Sequence, residues 1–371
     1  MRSTIIAALA VVTLGLAACG GEEPQPVAPP PPPPAPPAAT ASAAPTDTTP
    51  PAPPPKPALA DVMPQTMKGI GDAFNAHDAQ KMASYFTDDA AIYAYGEGET
   101  HSKGDMASGM AQMFQAFPDA KSAATRVWVK GNVAIAEIVW AGTMSGDMMG
   151  MKATNKPVGG TRLHIMWFND DGLVKEMHQY GDGASAMMQM MGKKGAPPVP
   201  TIPTNPPEMH VSKGTPDEDK LADFGKSVAD TFSKDDPKAA TALFADDADM
   251  MMNDGMPATK GKKAIGKLVP SFYKTIPDMK DTVSNAWGID GFAIVEHVIS
   301  GTDKGPMGPI PATGKPITGW HMADILQPTA DNKIAHDWGY ANTNEMLAQV
   351  GALKMPGGDK GAAPAGKPKG K

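Results

Sequence analysis

The chain is 371 residues long and carries a formal net charge of −7 at neutral pH. This acidic balance, without an arginine-rich stretch, argues against a nucleic-acid partner. Cys19 is the only cysteine, so the rest of the chain has neither disulfide bonds nor thiol chemistry. The length leaves room for two domains of ordinary size.

The first 19 residues have the pattern of a secretory signal. A positive start at Met1-Arg2 precedes an apolar stretch, residues 5–16, that is too short to span a bilayer comfortably. The stretch ends in Leu-Ala-Ala-Cys at 16–19, which resembles the lipobox of bacterial lipoproteins. This resemblance implies cleavage before Cys19 and lipidation of its thiol. Gly20 is typical of delivery to the outer membrane. We therefore expect a lipid-anchored protein of the cell envelope, held at the outer membrane.

Three segments are too rich in proline, alanine or glycine to form a packed core. Residues 20–59 include an unbroken proline run at 29–34 and are expected to form an extended or disordered tether. Residues 193–216 are interpreted as a Pro/Gly-rich linker, and residues 354–371 as a disordered tail. Two ranges, 60–192 and 217–353, remain as candidate domains.

The first range begins with apolar residues at helical spacing, namely Met63, Met67, Ile70 and Phe74. A short second helix is predicted at 81–86. A third helix is predicted after Ser102, because a serine three residues before an aspartate can cap a helix. Strands are predicted at 90–95, 125–130, 133–143, 158–169 and 173–182, followed by a last helix at 183–191.

The same order of elements returns in the second range. Leu-Phe-Ala-Asp-Asp-Ala at 243–248 matches Tyr-Phe-Thr-Asp-Asp-Ala at 85–90. The Pro-Asp turn at 118–119 returns at 277–278, and Gly142-Thr143 returns at 301–302. The loop Ala-Thr-x-Lys-Pro occurs at 153–157 and again at 312–316. A repeat of about 160 residues indicates two copies of one domain rather than a solenoid.

These repeated motifs resemble those of the SnoaL-like polyketide cyclases, a family with the nuclear transport factor 2-like fold. The resemblance covers about 60–192 and 217–353. It implies an α+β protein with two cone-shaped domains, in each of which a curved, mainly antiparallel sheet wraps around N-terminal helices and encloses a pocket. Two copies in one chain also allow the domains to pair as a pseudo-dimer. The same scaffold hosts cyclases, isomerases, dehydratases and binding modules, so the fold alone leaves the activity open.

The last strand of the first copy carries polar side chains at alternate positions. Strand alternation puts Glu176, His178, Tyr180 and Asp182 on one face. Cyclases of the family use an aspartate near the end of this strand as general acid and base, and the resemblance places Asp182 there, with His178 beside it. If this face lines the cone, these residues converge on the pocket; otherwise it is a solvated outer face.

Further polar positions are candidates for the same pocket. Arg162 and His164 share one face of the preceding strand. Glu137 and Glu296 occupy the same place within apolar strands of the two copies, where each is either directed into the pocket or paired on the exposed side of the sheet. Candidate binding residues of the second copy are His321, Asp324, His336, Trp338, Tyr340 and Asn342.

The second copy differs from the first at the proposed acid–base position. Asn342 stands where the first copy has Asp182, and an amide does not exchange a proton at neutral pH. We therefore expect the second copy to be a binding or structural copy rather than a second enzyme.

The 27 methionines are clustered, and thioethers are soft ligands for Cu(I). Methionine is also a flexible filler of apolar surfaces, and neither a cysteine partner nor a tight His/Met spacing accompanies these clusters. We predict no metal and no cofactor. The favoured function is binding of a small apolar or amphipathic ligand. The alternative is a cyclase- or isomerase-type enzyme with Asp182 as base and His178, His164 or Arg162 polarising a carbonyl group.

The lipobox-like sequence generates a direct test. Replacing Cys19 by alanine removes the only thiol that a lipid could modify, so the Cys19→Ala protein is expected to be unprocessed or soluble. Metabolic labelling with a fatty-acid probe, followed by fractionation, would measure this. Equal labelling of the variant and the wild type would contradict lipidation at Cys19.

Overall fold

A computed structural model describes residues 57–148, 150–252, 255–308 and 310–352. The predicted signal peptide, Cys19, nearly all of the tether and the tail lie outside the described residues. The helices are α1 Leu59–Asn75, α2 Ala79–Ala83, α3 Lys103–Ala116, α4 Gly183–Met190, α5 Pro216–Phe232, α6 Pro237–Ala242, α7 Lys262–Thr275 and α8 Thr343–Gln349. The strands are β1 Phe86–Ala94, β2 Gly98–Thr100, β3 Lys121–Lys130, β4 Val133–Thr143, β5 Pro157–Phe168, β6 Val174–Gly181, β7 Glu208–Val211, β8 Phe244–Met252, β9 Thr259–Lys260, β10 Lys280–Ile289, β11 Phe292–Thr302, β12 Pro316–Pro328 and β13 Ile334–Ala341.

The strands form two open sheets, one in each copy of the repeat. The first has the order β2-β1-β6-β5-β4-β3-β7 and belongs to domain 1, which comprises α1–α4 and β1–β7. The second has the order β10-β11-β12-β13-β8-β9 and belongs to domain 2, which comprises α5–α8 and β8–β13. Within the described ranges, three strand pairs are parallel, namely β1–β6, β3–β7 and β8–β13, and the others are antiparallel. The predicted α+β class with mainly antiparallel sheets is confirmed.

Local sequence explains several element ends. The Ser102 hydroxyl accepts a hydrogen bond of 3.1 Å from the backbone N–H of Asp105, which caps α3 as predicted. The repeated Pro-Asp turn has the same role in both domains, because Asp119 accepts from the backbone N–H of Thr143 at 2.6 Å and Asp278 from that of Thr302 at 2.8 Å. These carboxylates fix the loop after α3 or α7 to the end of the long strand.

Each sheet buries its inner face against the helices of its own domain. In domain 1, Met63 and Met106 from the helices pack against Phe86, Met166 and Met177 from the strands. An equivalent cluster in domain 2 contains Val228, Ile265 and Val269 from the helices and Phe244 and Leu326 from the strands. No helix among the described residues has the length and apolarity that a membrane crossing requires.

The outer faces of the two sheets pack against each other. One apolar cluster joins Trp128, Ile135 and Ile165 of domain 1 to Ile294 and Ile325 of domain 2. The central strands of both sheets are therefore buried on both sides, which explains why their sequences read as nearly continuous apolar runs. This packing fixes which face of each sheet remains available to enclose a ligand.

The segment 193–216 is more ordered than a linker. Its residues 208–211 form β7, which pairs in parallel with β3 at the edge of the domain 1 sheet. Glu218 of α5 is buried directly after this segment and accepts a 2.9 Å hydrogen bond from the backbone N–H of Lys213. The Ser212 hydroxyl also donates to Glu218, and the Lys130 ammonium lies 3.5 Å from it. Glu218 thus ties the segment to both domains.

This clamp predicts a stability change in acid. Burial alone would raise the pKa of Glu218, but the hydrogen bonds from Ser212, Lys213 and Asp290 outweigh it and lower the pKa from 4.5 to about 2. The folded state therefore holds fewer protons than the unfolded state in this range, and the stabilisation is lost as pH falls from about 4.5 towards 2. Glu218→Gln should remove that pH dependence and cost about 1–3 kcal/mol at neutral pH, as for buried polar groups that lose a partner.

Urea unfolding at several pH values would measure this effect. Asp217→Asn is a matched control, because Asp217 is an exposed neighbour that pairs with Lys220 at the surface. Equal losses in the two variants would contradict a specific role of Glu218.

Candidate functional site

Two buried glutamates each accept a hydrogen bond from a tyrosine of the other domain. The Tyr180 hydroxyl donates to Oε1 of Glu296 at 2.5 Å, and the Tyr340 hydroxyl donates to Oε2 of Glu137. The tyrosine of each domain thus serves the glutamate of the other. All four side chains were expected to be candidates for a pocket. In the structure they lie on the outer faces, between the sheets. Successive residues of a strand point to opposite faces, and the residues next to Glu137 and Glu296 lie on the inner faces.

Glu137 forms an ion pair inside this interface. Its Oε2 lies 2.6 Å from Nη2 of Arg126, and the Arg126 guanidinium stacks 4.1 Å from the ring centre of Trp338. Burial alone would raise the pKa of Glu137, but the hydrogen bond and charge of Arg126 outweigh it, and those from Thr125 and Tyr340 add to the lowering. The carboxylate therefore stays ionised although it is almost inaccessible to water.

Glu296 is held by neutral and imidazole donors instead. Asn285 donates to its Oε2 at 2.6 Å, and Nδ1 of His178 contacts its Oε1. Burial would raise the pKa of Glu296, but His178, Tyr180 and Asn285 together lower it. The other ring nitrogen of His178 lies 3.1 Å from Glu176, so this histidine bridges two carboxylates.

Two histidines of the second copy also have structural partners. Nδ1 of His321 lies 2.8 Å from Oε1 of Glu345, and its ring stacks on Tyr95 of domain 1 with 3.8 Å between ring centres. Nδ1 of His336 lies 2.8 Å from Oδ1 of Asp249 on the outer face of β13. Neither side chain is among those that line the domain 2 cavity described below.

Asp182 lies at the end of β6, where it caps α4. It accepts a 3.1 Å hydrogen bond from the backbone N–H of Ala184, and the Ser185 hydroxyl also donates to it. It borders a cleft of about 190 Å³ together with Arg162. Arg162 forms a two-pronged ion pair with Glu97, with both distances 3.0 Å. Asp182 therefore has a capping role and faces a small cleft rather than an enclosed cone.

Asn342, which occupies the position equivalent to Asp182, connects the domains. Its side-chain oxygen accepts from the backbone N–H of Gly181 at 3.1 Å, and its side-chain nitrogen donates to the carbonyl of Gln179 at 3.2 Å. This buried amide completes the hydrogen bonding of the end of β6. Asn suits this position because it can donate and accept at once.

A cavity of about 520 Å³ lies inside domain 2, between the inner face of its sheet and helices α5 and α7. This volume is within the usual range for sites that bind small molecules. No lysine or arginine is found among the described residues that line it. Its apolar wall includes three aromatic residues and six methionines, namely Phe232, Phe272, Trp320, Met250, Met252, Met256, Met279, Met307 and Met322.

Four titratable side chains project into this cavity from adjacent strands. Nδ1 of His297 on β11 lies 2.6 Å from Oδ1 of Asp281 on β10. Nε2 of His297 lies 3.1 Å from Oδ2 of Asp324 on β12, within ion-pair distance but without the alignment of a hydrogen bond. Burial disfavours the charged imidazole, but the charges of Asp281 and Asp324 outweigh this effect and raise the pKa of His297 to about 10. His297 is thus an imidazolium between two carboxylates.

A β-bulge produces this arrangement. The pairing of β10 with β11 shifts by one residue between Val283 and Asn285. Asp281 and Asn285 would share a face in a regular strand, but the bulge turns Asp281 inwards to His297 and Asn285 outwards to Glu296. Bulges re-aim side chains in this way next to functional sites.

The fourth group, Asp337 on β13, is a carboxyl group in an apolar setting. It is 8% exposed, and its Oδ1 has no hydrogen-bond partner among the described residues. Burial raises the pKa of Asp337 well above its usual value, and the negative charges of Asp324 and Asp249 add to this, while His297 opposes it. The carboxyl group therefore keeps its proton at pH values where an exposed aspartate has lost it.

Domain 1 lacks this set of groups. The strand pairings place Ser122, Ile138, His164 and Met177 at the positions of Asp281, His297, Asp324 and Asp337. Burial and the charge of Arg162 lower the pKa of His164 to about 3, so its imidazole is neutral. The inner face of domain 1 therefore has no carboxylate at these four places.

Of the candidates named from sequence, Asp324 is the one found among the cavity-lining residues of domain 2. His297 and Asp337 were not singled out, because each immediately adjoins a candidate that was expected to face the pocket. One feature of the sequence could have found them. Residues shared by both copies, such as Glu137/Glu296 and Tyr180/Tyr340, serve the contact between the domains. At the four cavity positions, by contrast, the second copy has Asp281, His297, Asp324 and Asp337 where the first has Ser122, Ile138, His164 and Met177.

The methionines of domain 1 that were weighed as copper ligands lie in an apolar cluster. Met144, Met151, Met187 and Met190 are buried together with Phe117. In the described parts of the chain, no group of three His, Cys, Asp or Glu side chains is arranged to hold a metal ion.

The fold and the cavity define a class of α+β proteins that enclose a small-molecule site against one face of a sheet. A profile of the SnoaL-like polyketide cyclase family matches residues 65–190 and 223–350. These two regions together span more than half of the chain, so the protein belongs to the SnoaL-like polyketide cyclase family. Comparison with curated proteins gave no match.

Several solved structures are similar to single domains of this chain. A proposed SnoaL-like polyketide cyclase from Jannaschia sp. CCS1 is 16% identical, with a TM-score of 0.34 and coverage of 39% of this chain and 99% of that chain. A proposed polyketide cyclase from Streptomyces antibioticus is 25% identical, with a TM-score of 0.30 and coverage of 35% and 97%. An LEH-like epoxide hydrolase from M. tuberculosis is 12% identical, with a TM-score of 0.31 and coverage of 36% and 92%.

The raised pKa of Asp337 predicts a pH-dependent cost to stability. Because the folded state keeps a proton that the unfolded state releases above pH 4, stability is expected to fall as pH rises, by at most about 1.4 kcal/mol per pH unit. Asp337→Asn cannot ionise, so its unfolding free energy should decline less than that of the wild type between pH 4 and pH 7. Urea unfolding across this range would measure the difference.

Asp246→Asn provides the control, since the Asp246 side chain is fully exposed. That variant should follow the wild type throughout the range. An Asp337→Asn curve parallel to the wild type would show that Asp337 ionises normally.

Proposed function

We propose that domain 2 binds a small, largely apolar carbonyl compound and transfers a proton on it, as enzymes of the cyclase and isomerase type do. The observation that carries this proposal is the buried carboxyl group of Asp337, whose pKa is raised by burial, in the same cavity as the Asp324–His297–Asp281 group. An acid that keeps its proton and a base in the same site are the combination that such chemistry requires.

Asp324 is the proposed base. Its carboxylate removes a proton from the carbon next to the carbonyl group, while Asp337 gives its proton to the carbonyl oxygen, and a neutral enol results. In isomerisation, Asp324 then returns its proton to another carbon and Asp337 takes back the enol proton. In ring closure, the enol carbon attacks a second carbonyl group, Asp337 recovers the enol proton and Asp324 protonates the new alkoxide.

His297 is proposed to position the base, Asp324, through an ion pair. The imidazolium offsets the negative charge of Asp324, and Asp281 keeps the imidazolium in place from the other side at 2.6 Å. The positive imidazolium thus lies within ion-pair distance, 3.1 Å, of the proposed base. Asp281 and His297 act here by position and charge, without exchanging a proton themselves.

The wall of the cavity supports binding of an apolar body. Methionine side chains adapt to irregular shapes, and the aromatic rings of Phe232, Phe272 and Trp320 offer flat contact surfaces. The ligand binding expected from sequence is part of this proposal, located in domain 2 rather than at Asp182.

The two domains are proposed to act as a pseudo-dimer in which domain 1 is the supporting partner. The reciprocal bonds from Tyr180 to Glu296 and from Tyr340 to Glu137 support this. The protein is further proposed to work in the cell envelope, anchored by lipid at Cys19 and held at the outer membrane. That part is supported by the signal-like and lipobox-like sequence alone.

Proton abstraction can be tested without the natural substrate. The apolar ketone 2-tetralone exchanges its α-protons for deuterium in D2O, and proton NMR measures the rate. We expect the wild-type protein to accelerate this exchange. Asp324→Asn and Asp337→Asn should each lower the acceleration by about 10²–10⁴-fold, the usual contribution of a general acid or base.

Two variants in domain 1 serve as controls. His164→Asn changes the residue at the position of Asp324, and Asp182→Asn removes the candidate named from sequence. Both should exchange at the wild-type rate. Loss of exchange in Asp182→Asn together with full activity in Asp337→Asn would move the site to domain 1. No acceleration by the wild type, with the neutral fluorescent probe N-phenyl-1-naphthylamine still bound, would indicate a binding protein.

A further inference from the structure

Glu296 and His297 are consecutive residues of β11, and their side chains point to opposite faces of the sheet. Glu296 is 2% exposed and lies between the two sheets, while His297 is 4% exposed and lies in the domain 2 cavity. Whatever fixes the Glu296 side chain therefore also fixes the backbone from which His297 projects.

Domain 1 supplies most of what fixes Glu296. The Tyr180 hydroxyl donates to its Oε1 at 2.5 Å, and His178 contacts the same oxygen. Among the described residues, Asn285 is the partner from domain 2, and it donates to Oε2 at 2.6 Å. A buried carboxylate that loses such partners is strongly destabilised, so the three groups hold it in one position.

Asn285 connects this anchor to the bulge. It is the first residue of β10 to pair with β11 after the register shift, opposite Glu296, and Asp281 lies on the other side of the shift. The bond from Asn285 to Glu296 thus holds the bulge in the register that turns Asp281 towards His297. The contact between Asp281 and His297 depends on this register, because one residue of slip would turn Asp281 to the outer face.

We propose that Tyr180 and His178 of domain 1 are positioning residues for the acid–base group of domain 2, acting through Glu296 on the bulge that aims Asp281 at His297. The consequence for turnover rests on the proposed function, whereas the effect on His297 does not. Domain 1, which has no carboxylate at the equivalent inner positions, then serves as a fixed support for the cavity of its partner.

The chain contains a mirror image of this device. Tyr340 of domain 2 donates to Glu137, and β3 has the same register shift between Ala124 and Arg126. The opposite face of that bulge carries Ser122 and Ile138 instead of an aspartate and a histidine. Tyr340→Phe therefore removes the equivalent tyrosine hydroxyl from the same interface but leaves the contacts of Glu296, and with them the support of His297, in place.

The experiment follows the Cε1 proton of His297 by NMR in histidine-labelled full chain, with assignment by His297→Gln. The groups that face His297 are Asp281, Asp324 and Asp337, and its pKa is raised to about 10 in the intact structure. In Tyr180→Phe, the titration midpoint should fall by about one pH unit, the scale of a weakened ion pair. In Tyr340→Phe it should remain at the wild-type value.

An unchanged midpoint in Tyr180→Phe, or equal shifts in both variants, would overturn the proposal. If Tyr180→Phe does not fold, His178→Asn is measured instead, with the same expected fall in the His297 titration midpoint. Exchange of 2-tetralone gives a second readout, because Tyr180→Phe should lower kcat and leave KM unchanged. Absence of exchange in the wild type would remove the proposed function, while the His297 titration would still decide the role of Tyr180.

Discussion

The structure depends on two carboxylates that are buried between sheets and satisfied from across the interface. Taking a carboxylate out of water costs several kcal/mol unless donors replace the water. For Glu137 the donors are Arg126 and Tyr340 of the other domain. For Glu296 they are His178 and Tyr180, both of the other domain. With these donors in place, the outer face of each sheet is committed to the interface. Only the inner face is then free to enclose a ligand.

The fold could be predicted because local sequence patterns determine most of its elements. Helical spacing at Met63 to Phe74, the Ser102 cap and the repeated Pro-Asp turns each predict an element or its end, and the repeat indicates two domains. The site could not be predicted in the same way. Alternation correctly grouped Glu176, His178 and Tyr180 on one face of β6. It could not tell which face is enclosed, because the neighbouring central strands are apolar on both sides.

The linker shows a related limit. Residues 193–216 are rich in proline and glycine, and such composition is typical of a flexible connection. The strand at 208–211 forms because the edge of β3 offers unpaired backbone groups, and sequence composition does not reveal that partner. The bulge in β10 is a similar case. Asp281 and Asn285 have the spacing of one strand face and yet point to opposite sides, since the register shift is set by pairing across the sheet.

The strand β7 also determines how the second domain meets the first. Because it is fixed to β3, only four residues, 212–215, connect the end of β7 at Val211 to the start of α5 at Pro216. The Cα atoms of Val211 and Pro216 are five steps apart along the chain and so can be separated by at most roughly 18 Å. Once domain 1 has folded, domain 2 is therefore confined beside its docking surface, and the encounter becomes intramolecular with an effective concentration on the order of millimolar. The connecting segment thus favours pairing within one chain over pairing between neighbouring chains, even where many copies are crowded together.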